Sequence, residues 1–344
     1  MPVQNQIEEI RRYFSTPRIS SSLLSALQNP KYLWLKERGL VEDEEKVFFK
    51  IGSALDCLLT SPDRWDTDFM VATANRPTGL LGKFVSVLPL GLTRESPVEE
   101  YLGAYEYAGY RRPIEWVIEF FWTTEDAVKF YEELQKTDDN TIVLGKDEFD
   151  LVIKMRDSIL GNPFTAQYFV PTNPNIEILT QVPIYFEYAN HECKALLDGV
   201  LMDHLNKQII PYDLKTTGKS VFSFPESYLQ FGYYRQCAFY EAALLSNASP
   251  VKDLLDDGYR LCDYLFIVVE TKKESTNPAV IYKTNAFDRL TGLVGGYIKN
   301  RYYKGVNGLI QDYMWHKEND YWEMPRQLYE DGGVVELSVF DQTA

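Results

Sequence analysis

Lys194-Ala195-Leu196-Leu197-Asp198-Gly199 and Tyr212-Asp213-Leu214-Lys215-Thr216-Thr217 are the two segments on which the fold turns. Asp213 and Lys215 stand two apart on a predicted strand, so their side chains leave one face while Leu214 points into the core. Asp198 ends an apolar run and is followed by Gly199. If the two strands pair through the polar connection Asp203–Lys207, Asp198 comes near Asp213 across the ladder. Two carboxylates converging at a strand end make a hard oxygen site suited to Mg²⁺ or Mn²⁺. An adjacent lysine ammonium can orient a water, help deprotonate it, or balance charge on a phosphate under attack. By itself Asp-x-Lys recurs by chance, usually on a solvated strand edge, so its weight comes from its ordered company.

Outward from these segments the pattern is one of strands. Gln181–Tyr188 alternates, Ala189-Asn190-His191 makes a turn, and Cys193–Met202 and Gln208–Lys215 complete a meander of short antiparallel strands. A long helix is predicted over Glu226–Ser246, then strands over Tyr264–Glu270 and Ala279–Lys283, and a closing helix over Asp288–Tyr303. The tail through Trp322-Glu323-Met324-Pro325 reads as loop. Upstream the chain reads as helices. One opens at Ile19-Ser20-Ser21-Ser22 with a serine cap and closes at Asn29-Pro30. Others cover Phe48–Leu59, Glu125–Gln135 and Lys146–Leu160. The stretch Arg76–Gly109 mixes glycines with aromatic-rich helix and reads as a mobile or substrate-facing region. Within it Gly79-Leu80-Leu81-Gly82-Lys83 lacks the Gly-Lys-Ser/Thr ending of a phosphate loop. This order of elements predicts an α/β sandwich with a helical N-terminal layer.

At 344 residues the chain is long enough for one large domain or two modest ones, and 45% hydrophobic with 25% charged residues is ordinary for a globular protein. No apolar run approaches a membrane span and the N-terminus has no basic-then-apolar signal, so a cytoplasmic protein is the default expectation. Cys57, Cys193, Cys237 and Cys262 have no metal-ligand spacing and read as buried thiols. His191, His204 and His316 likewise lack such spacing, fall in predicted turns or the tail, and are expected at the surface. No nucleophile elbow or Cys–His setting is present. The net charge of −15 argues against a diffuse positive field for nucleic acid: either DNA is not the ligand, or its contacts are confined to a local basic groove.

The segments around Asp198 and Asp213-Leu214-Lys215 resemble the core motif of RecB-like PD-(D/E)XK nucleases, especially the branch holding the exodeoxyribonuclease VIII (RecE) C-terminal domain and related phage proteins. The resemblance implies a restriction-endonuclease-like core, a mixed central sheet flanked by helices, under a helical N-terminal layer. It assigns metal binding to Asp198 and Asp213 and catalysis to Lys215. Tyr233-Tyr234-Arg235-Gln236-Cys237-Ala238-Phe239-Tyr240 is similar to the family's Gln-x-x-x-Tyr helix, which assigns site roles to Gln236 and Tyr240. A second frame, Gln230 to Tyr234, fits the same spacing about 120° around the helix, and the residues after Phe239 favour the first. Ile51-Gly52-Ser53-Ala54-Leu55-Asp56-Cys57-Leu58-Leu59 resembles the family helix Gly-x-x-x-His-x-x-Leu with Asp56 at the histidine position. Asp56 then either supplies an oxygen ligand, marks changed metal preference or lost activity, or is an exposed helix residue. Ile19–Leu23 with Asn29–Tyr32, and Phe266–Glu270, are similar to the family's first helix and late strand.

The domain organisation that follows is an N-terminal extension at 1–18, one nuclease domain at 19–305 (helical part 19–170, catalytic sheet core 176–305), and a tail at 306–344. The leading reading is a Mg²⁺- or Mn²⁺-dependent deoxyribonuclease acting as an exonuclease on duplex DNA ends in a bacterial or phage-infected cell. The resemblance adds a ring-shaped homo-oligomer and a single-strand annealing partner in recombination; the scattered cysteine spacing argues against the iron–sulfur cluster that some relatives bind through four cysteines, and the lack of a long apolar run argues against membrane association. Lys219, Arg235, Lys272 and Lys273 are candidate backbone contacts. The alternatives are a nuclease-fold DNA-binding or assembly component without cleavage, and an unrelated interaction protein.

Overall fold

A computed structural model describes residues 3–41, 47–137, 141–298 and 301–335. The chain divides into two compact units. One comprises Met1–Glu44, Ile159–Glu270 and Thr276–Ala344; the other comprises Glu45–Ser158 and Thr271–Ser275. No helix among the described residues is long and apolar enough to cross a membrane.

The first unit is built on a mixed sheet flanked by helices. Its strands run in the order Ile176–Tyr188, His191–Asp203, Gln208–Thr217, Leu265–Glu270 and Val280–Lys283, and the short Arg260–Leu261 also pairs with Gln208–Thr217. The first three are antiparallel, Gln208–Thr217 is parallel to Leu265–Glu270, and the last pair is antiparallel again. The tight turns place Ala189, Asn190 and Lys207 at positive φ, a conformation that asparagine tolerates and turns demand. One face of the sheet is covered by the helix Tyr233–Leu245, whose Phe239 packs on Phe186. On the opposite face Tyr212 meets Tyr168 and Phe169.

The alternation of buried residues changes phase inside the sheet. Val182, Ile184 and Phe186 pair with Leu197, Ala195 and Cys193, and all six belong to the core under the Tyr233–Leu245 helix. Beyond the next row the core takes Leu179 on one strand and Val200 and Met202 on the other. A strict period of two would have sent these to the other face. The shift falls on the row between Thr180–Gly199 and Val182–Leu197, which holds Gln181 and Asp198. Gln181 has φ +49° and is buried; a left-handed backbone of this kind costs an L-residue on the order of 1 kcal/mol.

Past this row the Asp198 strand parts from the Asp213 strand. Their ladder extends only from Asp203–Gln208 to Gly199–Tyr212. Ile19 then occupies the vacated edge, its N–H donating to the Glu192 carbonyl and its carbonyl accepting from the Lys194 N–H at 3.1 and 2.8 Å. The buried Lys194 ammonium donates to the Tyr13 and Thr16 carbonyls at 2.7 and 2.8 Å, tying the helix Val3–Ser15 to the same strand.

Several elements differ from expectation. The long helix predicted over Glu226–Ser246 is two helices, Phe224–Gln230 and Tyr233–Leu245, because Gly232 between them is left-handed at φ +69°. The predicted closing helix stops at Val294, where Gly295 has φ +85°, and a small hairpin of Gly296–Ile298 and Arg301–Tyr303 follows. The segment expected as tail begins with the helix Val306–Asn319, which contributes Val306, Ile310 and Tyr313 to the core. His316 on that helix is not at the surface but 1% exposed, stacked on Trp322 with Nδ1 against the Tyr321 carbonyl. Asn29 does not close a helix but caps the next one, accepting from the Tyr32 N–H. Ser20 caps Ser21–Ala26 as its sequence suggests. Residues 1–2 of the expected extension, 299–300 of the expected closing helix and 336–344 of the expected tail lie outside the described residues.

The second unit is mainly helical, with Phe69–Val71 and Ile142–Leu144 as a parallel pair. Phe84, Tyr101, Phe121, Phe130 and Tyr131 form its core. The Arg76–Gly109 stretch supplies much of it, through the helices Gly79–Ser86 and Leu102–Ala108. The glycine-rich segment at Gly79 therefore opens a helix. Arg76 pairs with Glu148 at 2.8 Å.

Candidate active site

Asp213 lies in the row after Gly199–Tyr212, on the face covered by the Tyr233–Leu245 helix, paired across to Phe266 of the core. The antiparallel register places Asp198 in that same row. Its Oδ2 accepts the Leu214 N–H at 2.8 Å, so a side chain satisfies the backbone donor that the parting strand leaves behind. The change of phase at Gln181 and Asp198 puts both carboxylates on one face.

Asp213 is 1% exposed and held from two sides. Its Oδ1 accepts from Gln236 Nε2 at 2.8 Å, and its Oδ2 pairs with Lys215 Nζ. Of the two Gln-x-x-x-Tyr frames, it is Gln236 that reaches this carboxylate. The Lys215 ammonium also stands 4.8 Å from the centre of the Tyr233 ring, a favourable cation–π distance. Tyr233 is held in turn by Phe266 and Phe224. Burial pushes the Asp213 carboxyl above its ordinary range, and the Lys215 charge and the Gln236 amide pull it back without cancelling that. For Lys215 burial works to strip the proton, but Asp213 beside it outweighs this and the ammonium is held protonated. The Lys215 direction describes a positive charge kept beside the carboxylates, while the Asp213 direction reflects its burial.

Tyr240, one turn after Gln236, is buried, and its hydroxyl is raised by burial and then by Tyr13, Asp213 and Asp198. Tyr264, which the sequence reading did not single out, sits in the same surroundings. Its hydroxyl is raised by burial, then by Asp213, Tyr240 and Asp198; it is 1% exposed and has no hydrogen-bond partner among the described residues. Its signal was present as a period of two, since Tyr264 precedes Phe266 on the face that Asp213 shares. An orphaned buried hydroxyl costs about 1–3 kcal/mol. Tyr264→Phe is therefore expected to raise the unfolding midpoint, by an amount equivalent to about 1–2 kcal/mol, in a urea titration; a fall would show that the hydroxyl is satisfied.

Asp56 belongs to the second unit, on the helix Val47–Thr60. Its Oδ1 accepts from Thr60 Oγ1 at 3.2 Å and its carbonyl from the same hydroxyl at 2.8 Å. Among the described residues no group of three or more His, Cys, Asp and Glu is placed to hold a metal ion. On the sheet, Asp198 and Asp213 are the carboxylates that could hold a cation; a pair of this kind suits Mg²⁺ or Mn²⁺, because Mg²⁺ characteristically takes one or two carboxylates and completes its shell with water and substrate oxygens. Of the basic candidates, Lys219 pairs with Glu226 at 3.4 Å, Arg235 donates to the Tyr234 hydroxyl at 2.9 Å, and Lys273 pairs with Asp147 at 2.9 Å. Cys57, Cys193 and Cys237 are buried thiols, and Cys262 is half-buried.

Comparison with family models and with curated proteins finds no match. Among solved structures the chain is similar to a candidate exonuclease from Eubacterium rectale, at 12% identity and TM-score 0.48 over 100% of this chain and 98% of that one. It is also similar to the protein SSO0001, at 12% identity and TM-score 0.24 over 82% and 90% of the two chains. Likenesses this distant add nothing to the case made by the residues.

Proposed function

We propose that the protein is a divalent-metal-dependent deoxyribonuclease, and the observation that carries this is the convergence of Asp198 and Asp213 in one row with the Lys215 ammonium on the second carboxylate. Asp198 and Asp213 would hold Mg²⁺ or Mn²⁺, which when bound polarises a phosphodiester and lowers the pKa of a water. Lys215 supplies a fixed positive charge beside the attacked phosphate and a donor that orients the incoming water. Gln236 keeps Asp213 in one rotamer, and Tyr233 limits where the ammonium can go. Resemblance to RecE-like proteins favours exonucleolytic action on duplex ends, with a homo-oligomer and a single-strand annealing partner in recombination. With a net charge of −15, DNA contacts would be local and strongly salt-dependent.

A catalytically silent DNA-binding or assembly protein is the second reading. The double engagement of Asp213 by Lys215 and Gln236 favours it, since a carboxylate so occupied must give up a partner to take a cation.

Linear and circular duplex DNA incubated with Mg²⁺, Mn²⁺ or EDTA separate the two. Metal-dependent loss of linear DNA alone is expected, and both Lys215→Ala and Asp198→Asn should slow it by on the order of 10³. Nicked circles would point to an endonuclease. Retention of DNA without cleavage would support the silent protein, and no binding at low salt would overturn both readings.

A further inference from the structure

Five residues other than glycine have positive φ among the described residues. Ala189, Asn190 and Lys207 make strand turns, and Asp320 ends a helix. Gln181 lies inside the long strand Ile176–Tyr188, between neighbours that keep their register on both sides. Nothing local requires a left-handed backbone there: no extra residue is accommodated, and the strand continues for several residues in each direction. Glycine would adopt this conformation freely, yet the position is a buried glutamine. Its row partner is Asp198, and the burial pattern of both strands changes phase in that row.

We propose that Gln181 is a positioning residue, whose left-handed backbone turns the sheet by one phase so that Asp198 faces the same side as Asp213. Alternation from Cys193, Ala195 and Leu197 alone would send Asp198 to the opposite face. The inward cores on both sides of the row must nevertheless be kept, and the twist at Gln181 reconciles them. Strained backbone persists where surrounding structure over-determines it, and such positions gather at sites that need a side chain re-aimed. The role in metal binding rests on the reading of Asp198 and Asp213 given above; the role in aiming Asp198 does not.

Two variants separate backbone from side chain. Gln181→Gly keeps access to positive φ, while Gln181→Val, β-branched, strongly opposes it. The first readout is amide exchange at Leu214, whose N–H is held by Asp198 Oδ2. Protection of that amide should fall at least tenfold in Gln181→Val and stay within threefold of wild type in Gln181→Gly. The second readout is Mn²⁺ affinity by calorimetry, which should follow the same order, with a tenfold or greater loss confined to the valine variant. Unchanged Leu214 protection in a folded Gln181→Val overturns the proposal. So does lost protection in Gln181→Gly, which would assign the effect to the carboxamide and decides the matter even where the valine variant does not fold. If Leu214 responds as expected but wild type binds no Mn²⁺, the aiming of Asp198 stands and the nuclease reading falls.

Discussion

Asp213→Ala is expected to destabilise the protein by about 3–5 kcal/mol, and adding Lys215→Met should recover most of that loss. The single change leaves an ammonium, on a side chain only 18% exposed in the intact protein, facing a cavity where its counter-charge stood. Half of a buried pair is worse than none, because one desolvated charge keeps its full penalty. The double variant removes both charges and fills the space with a flexible apolar side chain beside Tyr233 and Phe266. Urea midpoints of the two singles and the double give the coupling energy directly. Additive losses would mean that Lys215 is solvated and that the pair is not a unit. A double variant as stable as wild type would show that the pair is maintained for its chemistry, since stability does not require it.

Gly199→Ala should cost about 3 kcal/mol, at the upper end of overpacking. A Cβ at Gly199 would overlap Cζ, the hydroxyl oxygen and Cε1 of Tyr212, and that ring is fixed by neighbours. Tyr212 is fully buried, packs on Tyr168 and Phe169, and donates its hydroxyl to the Tyr168 carbonyl at 2.6 Å. Relief must come from the strand, and the next residue along it is Asp198. If the protein is the nuclease proposed above, DNA cleavage should therefore fall by on the order of 10², since an ångström of misplacement at a catalytic group has that effect. Gly199→Ala combined with Tyr212→Leu opens the space and should return most of the stability and activity. A thermal melt with the cleavage assay on all three variants checks this, and a single variant as stable as wild type would refute the close packing.

The parts of this architecture legible in the sequence are those that local chemistry specifies. The meander was readable because Ile176–Tyr188, His191–Asp203 and Gln208–Thr217 carry β-branched and aromatic residues between turn residues. The helix Lys146–Leu160 appears with the expected bounds because Gly161-Asn162-Pro163 cannot continue it. Asp213 and Lys215 on one face were legible from spacing two on a strand, whereas Gln236 was marked by the resemblance to the family's Gln-x-x-x-Tyr helix, since spacing alone left two frames. What was hidden depends on long-range packing. Glycine breaks at Gly232 and Gly295 lie inside otherwise helical patterns. Burial of His316 needs Trp322 folded back onto the helix. The phase change at Gln181 is invisible because Thr180-Gln181-Val182 reads as ordinary strand, and its reversed backbone is imposed by two cores that the sheet must serve at once. Tyr264 carries no mark in the sequence beyond its period of two, because its hydroxyl gains meaning only from the carboxylates beside it.

The bridge between Ile19 and the Asp198 strand has a bearing on synthesis. Arg18 and Glu192 form an ion pair at 2.8 Å across 174 positions of chain, and nearly all of the second unit lies between them in order of translation. The helix Val3–Ser15 thus has no edge to join until the intervening unit has left the ribosome. Contacts of such separation form late and slowly. The apolar side chains of Ile10, Tyr13 and Ile19 stay without their strand for that interval, so this segment is the one that waits longest for its edge and is open to chaperones meanwhile.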